Sequence, residues 1–332
     1  MSFELSGKRI LVTGATGFIG SHVTQRLLRE GNRVRAMARN AQRAKFLADE
    51  GAEVVLGDVT DKNSIEHAIH GCRVIFHFAA ALPGSKPWSY FRQVNVEGTR
   101  VLAELAIKEH VERFIFASTV WVYGFDAKRD TSETSDRHPS GYPYCDTKLE
   151  SENLVRRLVK EQNLPAIIIQ PSEVYGPRDE SWTLGPIRKI KSGRMTLINN
   201  GDGLIHPIFI DDLVDGILAA ACRGKVGESY ILCGQEIVTL REYYGYFARM
   251  VGQEKMNSMP GALLLAAATL AEWLAAITKR PPFLRKQPIQ SGMLQATYNG
   301  KKAHDHLGFL PQTTLKEGMH RIEEWLRSCN II

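Results

Sequence analysis

Residues Lys8 to Gly20 read Lys-Arg-Ile-Leu-Val-Thr-Gly-Ala-Thr-Gly-Phe-Ile-Gly. Ile10–Val12 is an apolar run with the length of a buried parallel strand. Gly14, Gly17 and Gly20 follow, and Ser21–Arg29 then places Val23, Leu27 and Leu28 on one side of a helix. Strand, glycine turn and helix in that order form the context in which a dinucleotide is cradled. Gly14 permits the tight turn, Gly17 lets backbone N–H groups approach a pyrophosphate, and Gly20 lets the helix pack closely on the strand. The helix N-terminus then turns its partial positive charge toward the phosphates. A glycine turn made only for packing is the weaker reading in this context.

The rest of the composition narrows the class. At 332 residues the chain has room for an α/β fold with an elaborated C-terminal part. Its 44% hydrophobic and 23% charged residues exclude a disordered chain. The net charge of +6 comes without a Lys/Arg block interleaved with aromatics. The sequence therefore points to a mild pull on anionic small molecules and to no nucleic-acid partner. Five cysteines, an odd number without metal-ligand spacing, fit reduced thiols and a cytoplasmic location. No signal peptide is expected, because the first strand begins almost at once. Gly261–Ile277 is rich in Ala and Leu, but Glu272 interrupts it and its length is marginal for a span. A buried or substrate-lining helix is expected there, and membrane association is not.

Taken in order, the chain alternates. Strands are expected at 33–38, 53–56, 73–78, 113–117 and 165–170, with helices at 62–69, 90–109 and 142–160 between them. Six strands alternating with helices make a doubly wound parallel sheet. Ser229–Leu232 is expected to return to it. Helices are also expected at 184–192, 240–251, 261–277 and 315–326. The domain reading is a dinucleotide-binding unit over 1–177, rejoined by 204–234, and a smaller, mostly helical substrate-binding region over 178–332.

Five places along the chain carry chemistry. Ala38 stands where an acid would accept from the ribose of NAD, and Arg39 follows, with Arg43 and Lys45 a turn beyond. An arginine grips a 2′-phosphate through two hydrogen bonds, so NADP(H) is preferred and NAD(H) remains open. Asp58, followed by Val59, can cap the helix at 62–69, a role compatible with the cofactor contact that the family resemblance given below implies for it. Small residues at Ala79, Ala80 and Ala81 leave room at a strand's C-terminal edge. Asn95 and Gly98 are poor helix formers inside a helical stretch. That conflict predicts a kink, and an amide bonded to the active-site strand. Tyr144 and Lys148, four apart, share a helix face. A phenol with pKa near 10 needs a nearby cation to work as an acid–base group near neutrality, and the Lys148 ammonium is expected to supply it.

Thr-Gly-Ala-Thr-Gly-Phe-Ile-Gly at 13–20, with its glycines spaced three and three, resembles the extended short-chain dehydrogenase/reductase family. So do His77-Phe78-Ala79-Ala80, Asn95-Val96-Glu97-Gly98-Thr99, Ser118-Thr119 before Val122-Tyr123-Gly124, Tyr144-x-x-x-Lys148 and Pro171–Pro177. The resemblance implies a Rossmann-type fold and the catalytic set Thr119, Tyr144 and Lys148. It also implies cofactor contacts from Gly14, Thr16, Gly17, Phe18, Ile19 and Gly20 around the turn. Further contacts follow from Arg39, Asp58, Val59, Ala79, Ala80 and Asn95, and from Ser118, Tyr144, Lys148, Pro171, Ser172 and Val174. Lys148 would hold the nicotinamide ribose, Thr119 would orient the substrate carbonyl, and Ser118 would partly stand in for it. His77 reads as a packed strand residue and Asp212 as a holder of backbone. Gln170 departs from the arginine that many relatives carry there. A homodimer contact is implied near Tyr90 and Tyr142.

The leading functional reading is an oxidoreductase of a secondary alcohol and ketone on a hydrophobic small molecule. The chain is similar to the dihydroflavonol reductase and 3β-hydroxysteroid dehydrogenase-like branches in Arg39, in the apolar 261–277 stretch and in Arg280–Leu284. The alternative is a nucleotide-sugar epimerase or dehydratase, with Lys189, Lys191 and Arg194 on a diphosphate. A non-catalytic NADP sensor ranks below both, because Thr119, Tyr144 and Lys148 are retained.

Overall fold

The computed structural model describes residues 3–82, 86–253, 255–278, 282 and 284–332. Six strands come first: β1 (Arg9–Thr13), β2 (Arg33–Ala38), β3 (Glu53–Leu56), β4 (Val74–His77), β5 (Arg113–Ala117) and β6 (Ala166–Pro171). Five short pieces follow, β7 (Val174–Tyr175), β8 (Thr196–Ile198), β9 (Leu204–Ile205), β10 (Ile208–Phe209) and, after the main helix of that half, β11 (Ser229–Leu232). β12 (Val238–Thr239) and β13 (Asn257–Met259) complete the set. The main sheet has seven strands in the order β11-β6-β5-β4-β1-β2-β3, every neighbouring pair parallel. The doubly wound parallel sheet is thus present, and Ser229–Leu232 does return to it as the seventh strand.

The helices follow the expected alternation: α1 (Phe18–Arg29), α2 (Ala41–Asp49), α3 (Lys62–Ile69), α4 (Trp88–Phe91), α5 (Gly98–Lys108) and α6 (Pro143–Gln162). The C-terminal half adds α7 (Gly185–Lys191), α8 (Ile210–Arg223), α9 (Leu240–Met250), α10 (Gly261–Thr278), α11 (Lys286–Gly292), α12 (Lys301–Leu307) and α13 (Leu315–Ser328). The helix expected over 90–109 is not continuous. A π-helical turn at Arg92–Glu97 separates α4 from α5, and Asn95 lies inside it. The stretch after His206 is also mostly helix, with only Ile208–Phe209 extended before α8 begins.

One apolar core joins the sheet to the C-terminal half. Ile10, Val12 and Phe76 belong to the same buried cluster as Ile187, Phe247 and Ile322. Asp212 helps to close it, accepting from the backbone N–H of Gln312 and Thr313 at 3.1 and 2.9 Å. That is the backbone-holding role expected of it.

The chain runs from β1 through β2 to β3 on one side, then crosses to β4 on the other. Thr13 and His77 end the two strands where the winding reverses and are register partners. A crevice opens beyond such a reversal. There Gly14 has φ +67°, and a Cβ on it would lie 2.7 Å from the Ala79 nitrogen. A Cβ on Gly20 would lie 2.3 Å from the Gly14 carbonyl oxygen. Gly20→Ala must therefore push backbone against backbone. We expect a loss of about 1–3 kcal/mol in stability, read as a lower urea midpoint at unchanged slope; an unchanged midpoint would contradict this packing.

Candidate active site

The turn after β1 presents donors to the crevice. Gly17 is exposed and begins α1 with extended backbone, φ −79° and ψ 174°, and no side chain caps the helix there. An α-helix leaves its first N–H groups without intrahelical partners. No acidic residue lies in the first turn. Among the described residues, the Gly14 carbonyl oxygen is the one atom a Gly17 Cβ would approach, at 3.1 Å. The turn is thus an open, electropositive cradle that fits a pyrophosphate. Thr16, Phe18 and Ile19 flank it half-buried, the Phe18 ring edge-on to His22.

At the adenine end, β2 runs out at buried Ala38, and Arg39 is 66% exposed beside Asp58 at 3.9 Å. Lys45 is paired with Asp49 along α2, which leaves Arg39 and Arg43 as the exposed cations of this corner. Asp58 does not cap α3. Its Oδ1 accepts from the N–H and hydroxyl of Thr60, and Asp61 is the cap, accepting from Asn63 and Ser64. The tight turn at Asp58 carries the chain one residue group further before the helix starts. Val59 is buried against Gly98, where a Cβ would meet its carbonyl oxygen at 2.9 Å.

Tyr144 and Lys148 lie on the first turns of α6. Tyr144 is half-buried against Val59, Ala81, Phe91 and Val94. Burial raises its phenol above the ordinary value, and Cys145 adds to the rise. Lys148 is buried, donates from Nζ to the Ala117 carbonyl, and lies 4.3 Å from the centre of the Phe116 ring. Burial pulls its pKa down to about 7, against the opposing pull of Glu152. Among the described residues no hydrogen bond joins Tyr144 to Lys148. The expectation that the ammonium favours the phenolate is therefore corrected for this protein without ligand. The end of β5 captures the ammonium, and desolvation governs the phenol.

Thr119 and Ser118 separate in role. Thr119 caps the short 3₁₀ turn Val120–Tyr123, its Oγ1 accepting from Trp121 N at 3.3 Å, so its own proton remains to be donated. Ser118 faces the other way. Its hydroxyl donates to buried Glu152, so it is neither a stand-in for Thr119 nor a crevice donor as expected. Glu152 also accepts from both nitrogens of the Arg156 fork at 3.1 and 2.8 Å and from the Gln170 amide at 3.1 Å. Gln170 in turn accepts from the Tyr123 hydroxyl at 2.8 Å. A neutral amide at this position accepts the phenol's proton while donating to the carboxylate; a guanidinium, a donor only, cannot accept that proton.

Asn95 ties the pieces together. Its Oδ1 accepts from Ala81 N at 2.7 Å, and its Nδ2 donates to Thr147 Oγ1 at 2.9 Å on α6. Its carbonyl receives the hydroxyls of Thr99 and Ser151. The expected kink is present, but the amide binds the loop after β4 and α6 rather than the strand itself. With the side chain 1% exposed and spent on protein, Asn95 is a positioning residue and not a cofactor contact. His77 is likewise internal. It bridges Thr13 and Thr99 at 2.7 and 2.9 Å, and burial lowers its pKa to about 3. Ala79 and Ala80 line the edge of the crevice half-buried. Pro171 ends β6 and Val174 pairs with Ile208. Ser172 is held by the Leu232 carbonyl through its N–H and by the His206 carbonyl through its hydroxyl.

Sequence reasoning missed an aromatic wall beside Tyr144. Trp121 lies edge-on to Tyr144 at 6.4 Å, to Phe125 at 6.0 Å and to Trp182 at 6.5 Å between ring centres. Its indole N–H donates to buried Glu173 at 3.3 Å, and Glu173 also accepts from His206 N at 3.0 Å. Burial raises the Glu173 carboxyl above the usual range. Trp121 and Glu173 stand inside the quoted motifs at motif-variable places, whereas Trp182 carries no sequence signal at all.

A buried lysine held near neutrality is maintained at a cost. Unfolded, its pKa returns to 10.5; folded, it is about 7. The penalty is full below pH 7 and fades as pH rises toward 10.5, because over that window only the unfolded chain holds the proton. Lys148→Met is expected to melt above wild type below pH 7, with the gap closing toward pH 10. A gap that does not change with pH, in thermal melts across this range, would contradict the burial argument.

Residues 10–233 match the model of the NAD dependent epimerase/dehydratase family. A 4-hydroxy-2-methyl-3-oxo-4-farnesyl-3,4-dihydroquinoline-1-oxide ketoreductase of Stigmatella aurantiaca is 27% identical over 326 residues, covering 95% of this chain and 96% of that protein. A 2-alkyl-3-oxoalkanoate reductase of Stenotrophomonas maltophilia is 25% identical over 95% of this chain and 98% of its own length. Among solved structures, a dTDP-glucose 4,6-dehydratase from Streptomyces venezuelae with NAD and TYD bound superposes with a TM-score of 0.80 at 25% identity, covering 96% of this chain and 97% of that one.

Proposed function

The chain belongs to the NAD dependent epimerase/dehydratase family, and from that premise we propose an NADP(H)-linked oxidoreductase that interconverts a ketone and a secondary alcohol on an apolar, ring-bearing small molecule. That it is an enzyme of the extended short-chain dehydrogenase/reductase type, whose members bind NAD or NADP, follows from the family and its fold. The substrate class and the NADP preference are this proposal's own.

The observation that carries the substrate reading is the wall of Trp121, Phe125 and Trp182 beside the Tyr144 phenol. Apolar clefts with few convergent polar groups take flat hydrophobic ligands. Of the cations expected to grip a sugar diphosphate, Lys191 donates to the Ile331 carbonyl, Arg194 folds onto Ser192, and Lys189 is exposed. The named ketone reductases among the relatives support the same reading. The matched dTDP-glucose dehydratase favours the second reading, a nucleotide-sugar enzyme. The basic 280–284 segment that the sequence linked to the reductase branches lies largely outside the described residues.

A nicotinamide bound in the crevice supplies or accepts the hydride. The residues of this chain do the rest. First-turn N–H groups of α1 hold the pyrophosphate, and Arg39 holds a 2′-phosphate. Thr119 donates its hydroxyl proton to the substrate carbonyl oxygen and fixes its direction. Tyr144 Oη delivers the proton that turns that oxygen into a hydroxyl, and burial keeps that proton on the phenol until it is called on. Lys148, with three donors and one spent on Ala117, keeps two for the ribose.

Three outcomes test this. Arg39→Ala is expected to raise the dissociation constant for NADPH on the order of tenfold while leaving that for NADH unchanged; equal loss for both, or tighter binding of NADH by wild type, would overturn the preference. Tyr144→Phe is expected to lower turnover roughly 10²–10⁴-fold without weakening NADPH, and near-normal turnover would assign the proton elsewhere. In a screen of NADPH oxidation, steroid-like and flavonoid-like ketones should turn over. Micromolar binding of a UDP- or dTDP-sugar with no response to any ketone would establish the second reading instead.

A further inference from the structure

Helix α10 does not do what its sequence suggests. An almost wholly apolar helix is normally buried all round. Here burial falls on Ala268 and Ala271, where the helix packs beside α11. Its large side chains face outward: Leu263 is 62% exposed, Leu270 56%, Trp273 61%, Leu274 42% and Ile277 60%. Spacings of seven, three, one and three residues place them in one stripe along the helix. Exposed Ala266 and Ala267 fill the gap between Leu263 and Leu270. The expectation of a buried core helix is thus corrected: Ala268 and Ala271 are buried, Leu264 and Leu265 half-buried, and the five large side chains of the stripe exposed.

The stripe is also freed of polar demands. Thr269 and Thr278 return their hydroxyls to the carbonyls of Leu265 and Leu274, each at 2.8 Å. Glu272, the single acid in α10, accepts from Lys286 N at 3.1 Å and pairs with Lys286 Nζ at 3.5 Å. The hydroxyls and the carboxylate of the helix are thus satisfied within the protein, which lowers the cost of laying it against hydrocarbon. The sequence on either side of the stripe is basic. Between Lys255 and Gln290 the sequence holds five Lys or Arg residues and that one acid. No helix among the described residues is long and apolar enough to cross a membrane. An apolar face, a tryptophan, a basic surround and a length short of a span describe a helix that lies in the interface plane of an anionic bilayer.

We infer that α10 docks this protein on an anionic lipid surface, with Leu263, Leu270, Trp273, Leu274 and Ile277 at the acyl boundary and the flanking cations on the headgroups. A second copy of the chain is the weaker occupant. A stable protein interface engages about 20–30 residues a side, and this stripe presents far fewer. The inference stands on α10 alone and does not depend on the reaction proposed above.

The test is flotation of the full-length protein with vesicles of equimolar phosphatidylcholine and phosphatidylglycerol, beside vesicles of phosphatidylcholine alone. Wild type is expected to float with the anionic vesicles and to leave them at high salt. Leu270→Glu, and independently Ile277→Ser, are expected to reduce the bound fraction, the glutamate on the order of tenfold, at unchanged melting temperature because both side chains are exposed. Three results would overturn the inference: wild type remaining free of the anionic vesicles, flotation that neither substitution reduces, or a lipid-free dimer that Leu270→Glu splits while vesicle binding is absent. The last would assign the stripe to a second copy.

Discussion

The site depends on one amide. Asn95 reaches from a π-helical turn to the loop after β4 and to Thr147 on α6. That clasp ties the start of the helix bearing Tyr144 and Lys148 to the crevice edge at Ala79–Ala81. The π turn is what makes the clasp feasible. It frees the Asn95 carbonyl to receive two side-chain hydroxyls, Thr99 and Ser151, while the side chain spans two elements. Such single-turn bulges recur at functional sites because they place a group that regular helix cannot. Sequence exposes this as a local conflict, two poor helix formers in a helical stretch, and the structure resolves it as a positioning device.

A second constraint is desolvation. Lys148, Glu152, Glu173 and His77 are all buried around the C-terminal ends of β4, β5 and β6. Each is met by hydrogen-bond partners, as buried polar groups must be. Glu152 is served by Ser118, Arg156 and Gln170; Glu173 by Trp121 and His206. These two carboxylates act differently. Glu152 anchors the middle of α6 to the sheet. Glu173 holds the indole of Trp121 edge-on beside Tyr144, so a buried carboxyl group sets the shape of an apolar wall. The raised phenol and the lowered ammonium are consequences of the same dry environment. The phenol therefore keeps its proton, and no hydrogen bond joins the two groups among the described residues.

Much of this was legible before the structure. The strand–glycine–helix run at 8–29, the alternation through residue 170 and the return of 229–232 rest on local periodicity and turn chemistry, which sequence carries directly. Gly14 and Gly20 were readable for the same reason, since a missing Cβ is a local signature of close approach. Three things were not legible. The direction of the Ser118 hydroxyl depends on Glu152, thirty-four residues away. The cap of α3 lies at Asp61 rather than Asp58 because a tight Asp58–Thr60 turn intervenes. The face that α10 buries depends on how closely α11 approaches, and an all-apolar helix has no periodicity to announce it. Trp121 and Trp182 meet across sixty residues of chain, so their wall exists only in three dimensions.

The account's central claim is that this crevice carries out net hydride transfer to a ketone, with the proton coming from the Tyr144 side. The most direct measurement is mass spectrometry of the product formed from a responsive ring ketone and NADPH deuterated at the transferable C4 position. The account predicts an alcohol carrying one deuterium on the carbinol carbon and stoichiometric NADP⁺ released. An unlabelled product, with the cofactor unchanged at the end of turnover, would contradict it and point to chemistry that returns the hydride to the substrate.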